Sequence, residues 1–268
     1  MVSVPFGSFE MGSPSDEPGR NSDETQHIVT LTEGFHIGKY PVTQAQYQAV
    51  IGTNPSYFKT PVSSETNTAN RPVEQVSWYD AVEFCNKLSD IEGLTPYYTI
   101  DKNTVDPNNT NSGDPYRWLV TLNPGANGYR LPTEAQWEYA CRAGTTHAFN
   151  WDTDTINSSQ ANYYASYIDP NNKVAGTYLQ RTTSVGSYAP NTWGIYDMHG
   201  NVWEWCWDWY GSYSGDKTDP TGAVSGGLRV LRGGSWYGDG QYLRSADRNC
   251  YYPYYWDSYY YGFRVVLP

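Results

Sequence analysis

The densest set of interaction-capable side chains lies between positions 229 and 268. Tyr237, Tyr242, Tyr251, Tyr252, Tyr254, Tyr255, Tyr259, Tyr260 and Tyr261 crowd there with Gly238, Asp239, Gln241, Asp247, Asn249, Trp256, Asp257 and Ser258. The chemistry of such a set is recognition. Tyrosine offers rigid contact area at low entropic cost, and Ser, Asn, Gly and Asp supply adaptable hydrogen bonds. No period of 2 or 3.6 residues runs through the set, so no single core face collects it. The competing expectation is that the tyrosines pack into an aromatic core. Residues 251–261 are interrupted only by one Pro, one Trp and two short polar residues, and such a run is hard to bury whole.

Residues able to make or break bonds are sparser. Cys85, Cys141, Cys206 and Cys250 are spread out with no CxxC, which argues against a zinc ribbon. A disulfide framework belongs to much shorter secreted chains. His27, His36, His147 and His199 match no metalloprotease or triad pattern. Asn108-Asn109-Thr110 matches a glycosylation acceptor, a pattern common by chance.

The elements that must position the tyrosines are short. Arg229-Val230-Leu231 reads as a strand before the set, and residues 262–266 read as a strand after it. Thr43 and Gln46 form a capping box for a helix running to about Ile51, where Gly52 and Asn54-Pro55 stop it. Ser77 caps a second helix, whose apolar stripe is Trp78, Ala81, Val82, Cys85 and Leu88. On that stripe Cys85 reads as a buried, inert thiol. Thr133 and Gln136 open a third helix, and Gly144 is placed to end it. Residues 4–40 read as strands and turns, and residues 96–121 as a long hairpin with a polar tip. Trp203, Trp205, Trp207 and Trp209 alternate onto one face of a strand as an aromatic core ladder. The fold class expected is α+β in a single domain over 1–268, with short antiparallel strands, few helices and much irregular structure.

Composition bounds the function. Charged residues are 17% and aromatics 16% of 268 residues, with 25 Gly and 17 Pro, which describes a loop-rich globular chain with an aromatic core. A formal charge of -11 argues against a nucleic-acid partner, since such surfaces cluster Lys and Arg. No stretch approaches a membrane span, and the opening residues carry no signal peptide. The expectation is export to the cell surface with its leader absent, the cytoplasm being the alternative.

Several ordered motifs resemble the formylglycine-generating enzyme (sulfatase-modifying factor) family. They are Met11-Gly12-Ser13, Pro41-Val42-Thr43-Gln44, Pro72-Val73-Glu74-Gln75-Val76-Ser77-Trp78, Arg130-Leu131-Pro132-Thr133-Glu134, Gly200-Asn201-Val202-Trp203-Glu204-Trp205, Arg232-Gly233-Gly234-Ser235-Trp236 and Gly262-Phe263-Arg264. The resemblance covers nearly the whole chain and implies that family's version of the C-type lectin fold. The family's oxidase uses copper held by two cysteines shortly after the Gly-Gly-Ser motif. Here residues 236–242 contain none and Cys250 stands alone, so neither copper nor enzymatic activity is expected. An oxidase of this type, or a related iron-dependent sulfur-chemistry enzyme, is the alternative. Val265 stands where the enzyme can carry a disulfide cysteine. The family also binds calcium, and its motif implies carboxylates from Asp197 and Glu204 with backbone oxygens of Met198, Gly200 and Val202. A second family site would fall on Asn162 and Tyr163, with Thr177 where its acidic ligand should be.

The C-terminal stretch is similar to the variable proteins of diversity-generating retroelements, in which adenine-directed copying of a template substitutes codons such as AAC. Tyr, Asp, Ser, Gly, Cys and Asn are the products of such codons. They fill positions 237–239, 249–252, 254, 255 and 257–260, whereas Gln241 and Trp256 need other codons. That resemblance implies a variable region over about 237–260 on a fixed frame, displaying a surface for an unknown protein or glycan ligand.

Overall fold

Each helix begins where a hydroxyl can accept an early backbone N–H. The computed structural model describes residues 1–62 and 66–268 and places α1 at Gln44–Ile51, α2 at Trp78–Ile91 and α3 at Glu134–Arg142. Thr43, Ser77 and Thr133 cap them. Gln46, Asp80 and Gln136 reach back to complete three reciprocal capping boxes. Gly52 ends α1 in the left-handed region at φ 93°. The end of α3 departs from expectation, because Ala143 takes the left-handed turn at φ 47°, one residue before Gly144.

In chain order the strands are β1 (Val2–Val4), β2 (Gly7–Met11), β3 (His27–Leu31), β4 (Phe35–Ile37), β5 (Tyr98–Val105), β6 (Trp118–Leu122), β7 (Trp203–Trp209), β8 (Lys217–Thr218), β9 (Arg229–Arg232), β10 (Asn249–Tyr251), β11 (Tyr261–Gly262) and β12 (Val266–Leu267). They form sheets ordered β1-β4-β12, β10-β9-β7-β11 and β2-β3-β8, and β5 pairs with β6 as the expected hairpin. Two pairs, β11 with β7 and β3 with β8, are parallel, so the pairing is mixed rather than antiparallel throughout.

The strand expected over 262–266 is split. Tyr261 and Gly262 pair with β7, whereas Val266 and Leu267 pair with β4 in another sheet. Between them Arg264 is fully buried, and its guanidinium donates to the carbonyls of Gly38 and Tyr196. Gly262 lets the chain pass closely, since a Cβ there would stand 2.6 Å from the Val73 carbonyl oxygen.

β7 separates two cores and is buried on both faces. Trp203 and Trp205 pack with Trp78, Ala81, Val82 and Cys85 of α2, and partly buried Trp207 joins them. Cys206 faces Ala135, Trp137, Ala140 and Cys141 of α3. Each such aromatic or aliphatic side chain contributes about 1.5–3 kcal/mol when fully buried. The tryptophan ladder therefore describes one face only, and the other carries Glu204, Cys206 and Asp208. Asp208 accepts the Glu134 N–H at the start of α3 at 2.8 Å.

Burial, with Glu134 beside it, pushes the Asp208 carboxyl up to about 7, and burial pushes Asp197 up to about 6. An unfolded aspartate titrates near 3.8. Between 3.8 and the folded value, the folded chain keeps a proton the unfolded chain has lost. Stability from these groups therefore falls as pH rises through that window. Glu24 and Glu134 act in the opposite sense. Burial would raise both, but Arg244 on Glu24, and Arg248 with Arg232 on Glu134, hold them below 4.5. Their contribution is present above that value and lost in stronger acid. His199 opposes the aspartates, because burial holds its imidazole at about 4 and the unfolded chain takes up a proton in mild acid that the folded chain does not. The melting midpoint is therefore expected to rise by only roughly 1–2 °C per pH unit on acidification from about pH 7.5 to 6. Asp208→Asn, which keeps the acceptor for Glu134, should flatten that rise. An unchanged slope would place the titration on another group.

Candidate ligand-binding surface

The tyrosine-rich stretch is divided by a buried segment. Residues 243–248 are all buried. Arg244 donates to both Glu24 oxygens at 2.7 Å and to Glu17 at 2.8 Å. Arg248 forms a two-pronged pair with Glu134 at 2.7 and 2.8 Å, beneath the rings of Tyr210 and Tyr213. Arg232, from β9, pairs with Glu138 and donates to the carbonyls of Asp247 and Ser245. Removing one partner of such a buried pair costs about 3–5 kcal/mol, because the other charge is left uncompensated. The segment is therefore frame, with a displayed stretch on each side.

The displayed stretches carry most of the expected recognition residues. Tyr237 is 60% exposed, Trp256 52%, Tyr259 41%, and Tyr242 and Tyr252 40% each. Asp257 is exposed and accepts from the Gln75 amide at 3.3 Å. Gly238, Asp239, Gln241, Asn249, Tyr251, Tyr254, Tyr255 and Tyr260 are half-buried. Of these, Tyr251, Tyr254, Tyr255 and Tyr260 rest an edge on the α2 core. No tyrosine between 251 and 260 is enclosed. Ser258 corrects the expectation. It is 2% exposed, and its carbonyl receives the Gln75 N–H at 3.1 Å, so it anchors the turn instead of facing a ligand. Tyr261 is likewise core.

A cavity of about 390 Å³ opens among these residues, walled by Tyr164, Tyr237, Tyr242 and Tyr260, with Ser235, Asp239 and Asn249 supplying polar atoms. Its aromatic wall continues into parts of the frame that sequence reasoning missed. Between ring centres, Tyr164 lies 4.5 Å from Tyr178, Tyr178 lies 6.2 Å from Trp236, and Tyr57 lies 4.8 Å from Tyr259. Tyr57, Tyr164 and Tyr178 sit in aperiodic stretches among Ser, Asn and Gly. That is the composition that marked the C-terminal set, and it was the signal available for them.

The main chain of both displayed stretches is tied down independently of their side chains. Tyr164 N–H donates to the Gly238 carbonyl, Trp203 N–H to Tyr260, Trp78 N–H to Pro253, and the Trp236 indole to Tyr259, at 2.8–3.1 Å.

The calcium donors expected from the family motif do not fit an ion centred on Glu204. Arg264 takes both Glu204 oxygens at 2.6 and 2.7 Å, and the Trp137 indole donates to one at 2.7 Å. Asp197 accepts the Gly186 N–H at 2.7 Å, and its carbonyl faces Arg264. The turn carrying Met198, Gly200 and Val202 is held by the Gly200 N–H on the Gly233 carbonyl. Among the described residues no group of three or more His, Cys, Asp or Glu stands ready to hold an ion. At the second family locus Asn162 and Tyr163 are buried, but Thr177 is exposed and brings no carboxylate.

The four thiols are free and unpaired. Burial pushes Cys141 up to about 12 and Cys250 up to about 11, and raises Cys85 and Cys206 further. A thiol held protonated is a poor nucleophile.

The sulfatase-modifying factor enzyme 1-like domain matches residues 1–268. The chain belongs to that family. It is 42% identical over 243 residues to the chaperone protein LppX of Paenibacillus barcinonensis, covering 88% of this chain and 78% of that protein. It is 27% identical over 286 residues to the Mus musculus formylglycine-generating enzyme, covering 88% and 66%. In structure it is similar to Treponema denticola variable protein 1, with a TM-score of 0.82 and 32% identity over 100% of this chain and 94% of that one. The fold is thus the C-type lectin fold in the form this family uses, and the chain resembles both an enzyme and a variable protein built on it.

Two outcomes check the site. Chelation with EDTA is expected to leave the melting midpoint unchanged, because Arg264 already compensates Glu204; a fall of several degrees would restore a cation to this turn. Tyr237→Ala and Trp256→Ala are expected to shift the midpoint by no more than about 2 °C, as for surface positions. A shift of about 10 °C would make them core residues.

Proposed function

We propose that this protein binds a ligand, a protein or a surface glycan, through the aromatic surface of residues 237–242 and 249–260, and that a retroelement diversifies those positions. The observation that carries the reading is the division of labour in the stretch. Large aromatics stand exposed while their backbone is held by hydrogen bonds to the frame and by the buried segment 243–248 between them. Such an arrangement tolerates exchange of side chains without loss of fold. Binding energy would come from a few aromatic anchors that lose water at the centre of the contact. Similarity to a variable protein of Treponema denticola supports the same reading. A binder of this kind works from the cell surface or after export.

The enzymatic alternative, an oxidase of the formylglycine type, meets a specific obstacle. Its chemistry needs a pair of cysteines after the Gly-Gly-Ser motif, and here Cys250 is the single cysteine after that motif and all four thiols are free. Copper-supplemented protein is expected to leave a cysteine-containing sulfatase peptide unchanged; turnover to the aldehyde would overturn the binding reading. Diversification is tested in DNA. The codons for 237–260 should have a near-copy repeat close by, differing only where the repeat has adenine. Differences spread over all four bases would remove the retroelement.

A further inference from the structure

The cavity in the displayed surface combines aromatic faces with negative charge and contains no cation of the chain's own. From that combination we infer that it receives an arginine side chain from a basic protein partner, the guanidinium stacking on Tyr237 and Tyr260 and pairing with Asp239. This rests on the ligand-binding reading above and assigns the chemistry of what enters.

Three observations carry it. First, Tyr237 and Tyr260 present nearly parallel rings, 12° apart in plane with centroids 6.1 Å apart, and Tyr164 and Tyr242 complete the wall. A planar guanidinium is the side chain that best stacks on such faces while donating to a carboxylate. Second, the negative charge is unanswered. Burial and the nearby Asp169 raise the Asp239 carboxyl above the usual carboxylate range, and no Lys or Arg acts on it in the opposite sense, so a guanidinium would relieve both. Asp169 lies in the fixed frame, 9% exposed. Its Oδ2 has no hydrogen-bond partner and stands 3.0 Å from the point where a Cβ would sit on Gly240, the residue after Asp239. Third, the interior shows the same chemistry with its arginine in place. Arg248 lies 3.9 Å from the centre of the Tyr213 ring and 4.7 Å from that of Tyr210, and pairs with Glu134. Arg229 sits between Trp78 and Trp209, at 3.8 and 3.5 Å from their ring centres. The surface cavity repeats that composition of tyrosine faces and a carboxylate, lacking only the guanidinium. A net charge of -11 over the chain draws a basic partner towards it. Asp239 lies in the stretch proposed to vary, so the preference belongs to this sequence, whereas Asp169 keeps some negative potential behind any variant.

The test uses the intact protein and three small probes, N-acetyl-arginine methylamide, the lysine analogue and the citrulline analogue, which replaces guanidinium by a neutral urea of the same shape. Binding is followed by tryptophan and tyrosine fluorescence and by NMR. The arginine probe is expected to saturate and to bind about tenfold or more tightly than citrulline, with lysine between them. Asp239→Asn should bring arginine down to citrulline, and Tyr237→Ala should weaken both. Equal binding of arginine and citrulline would overturn the inference while leaving a working aromatic surface. Lack of saturation by any probe would also overturn it, and the ligand-binding reading would then be judged separately by the codon comparison. An Asp239→Asn protein that keeps the full arginine preference would overturn the assignment of the carboxylate.

Discussion

The structure depends on a set of guanidinium–carboxylate pairs sealed from water. Arg232, Arg244 and Arg248 come from β9 and from the middle of the tyrosine-rich stretch, and their partners Glu17, Glu24, Glu134 and Glu138 come from the N-terminal loop and α3. Taking these ions out of water is expensive, and an apolar cluster of similar size would stabilise the fold about as well. The pairs do something an apolar cluster does not. A two-pronged guanidinium contact accepts only one direction and one register. Segment 243–248 therefore cannot slide or rotate, and the loops leaving it on each side start from defined points.

The same device recurs at the centre of the molecule. Glu204 lies on the face of β7 turned away from the tryptophans, where the Arg264 guanidinium and the Trp137 indole close on it. This pair ties the last residues of the chain to α3 and β7, which is why the C-terminal strand breaks and crosses between two sheets. It also changes the meaning of the Asp197–Glu204 motif. Asp197 feels the charge of Glu204, and that charge is met by the Arg264 guanidinium.

What could be read from the sequence was what local chemistry specifies. Capping boxes at Thr43, Ser77 and Thr133, the stripe of α2 and the hairpin of β5 and β6 all depend on residues close in the chain. The exposed aromatics were legible because their composition lacks any period that a core could use. Partners far apart in sequence were not legible. Nothing near Arg244 points to Glu17 or Glu24, more than two hundred positions away. Ser258 looked like its variable neighbours, yet the turn buries it under Gln75. Tyr57 and Tyr164 reach the site from loops whose place is set by the fold alone, so composition could flag them but could not say where they point.

A surface that must change its side chains and keep its shape faces a conflict, because side chains normally help hold a loop. Here the conflict is relieved by giving the loops' main chain its own attachments. The carbonyls of Gly238, Pro253, Ser258 and Tyr260 accept from frame N–H groups, and the Trp236 indole holds the carbonyl of Tyr259. Carbonyl oxygens are common to all residues, so these bonds survive exchange of the side chains beside them. Leu243 and Arg244 through Arg248 are buried positions where exchange would leave a cavity or an unpaired ion, and Gly240, Pro253 and Ser258 are buried within the displayed stretches themselves. The boundary between what can vary and what cannot is therefore drawn by burial and ion pairing. It falls between Tyr242 and Leu243 on one side and between Arg248 and Asn249 on the other, with Gly240, Pro253 and Ser258 as fixed points inside the displayed stretches.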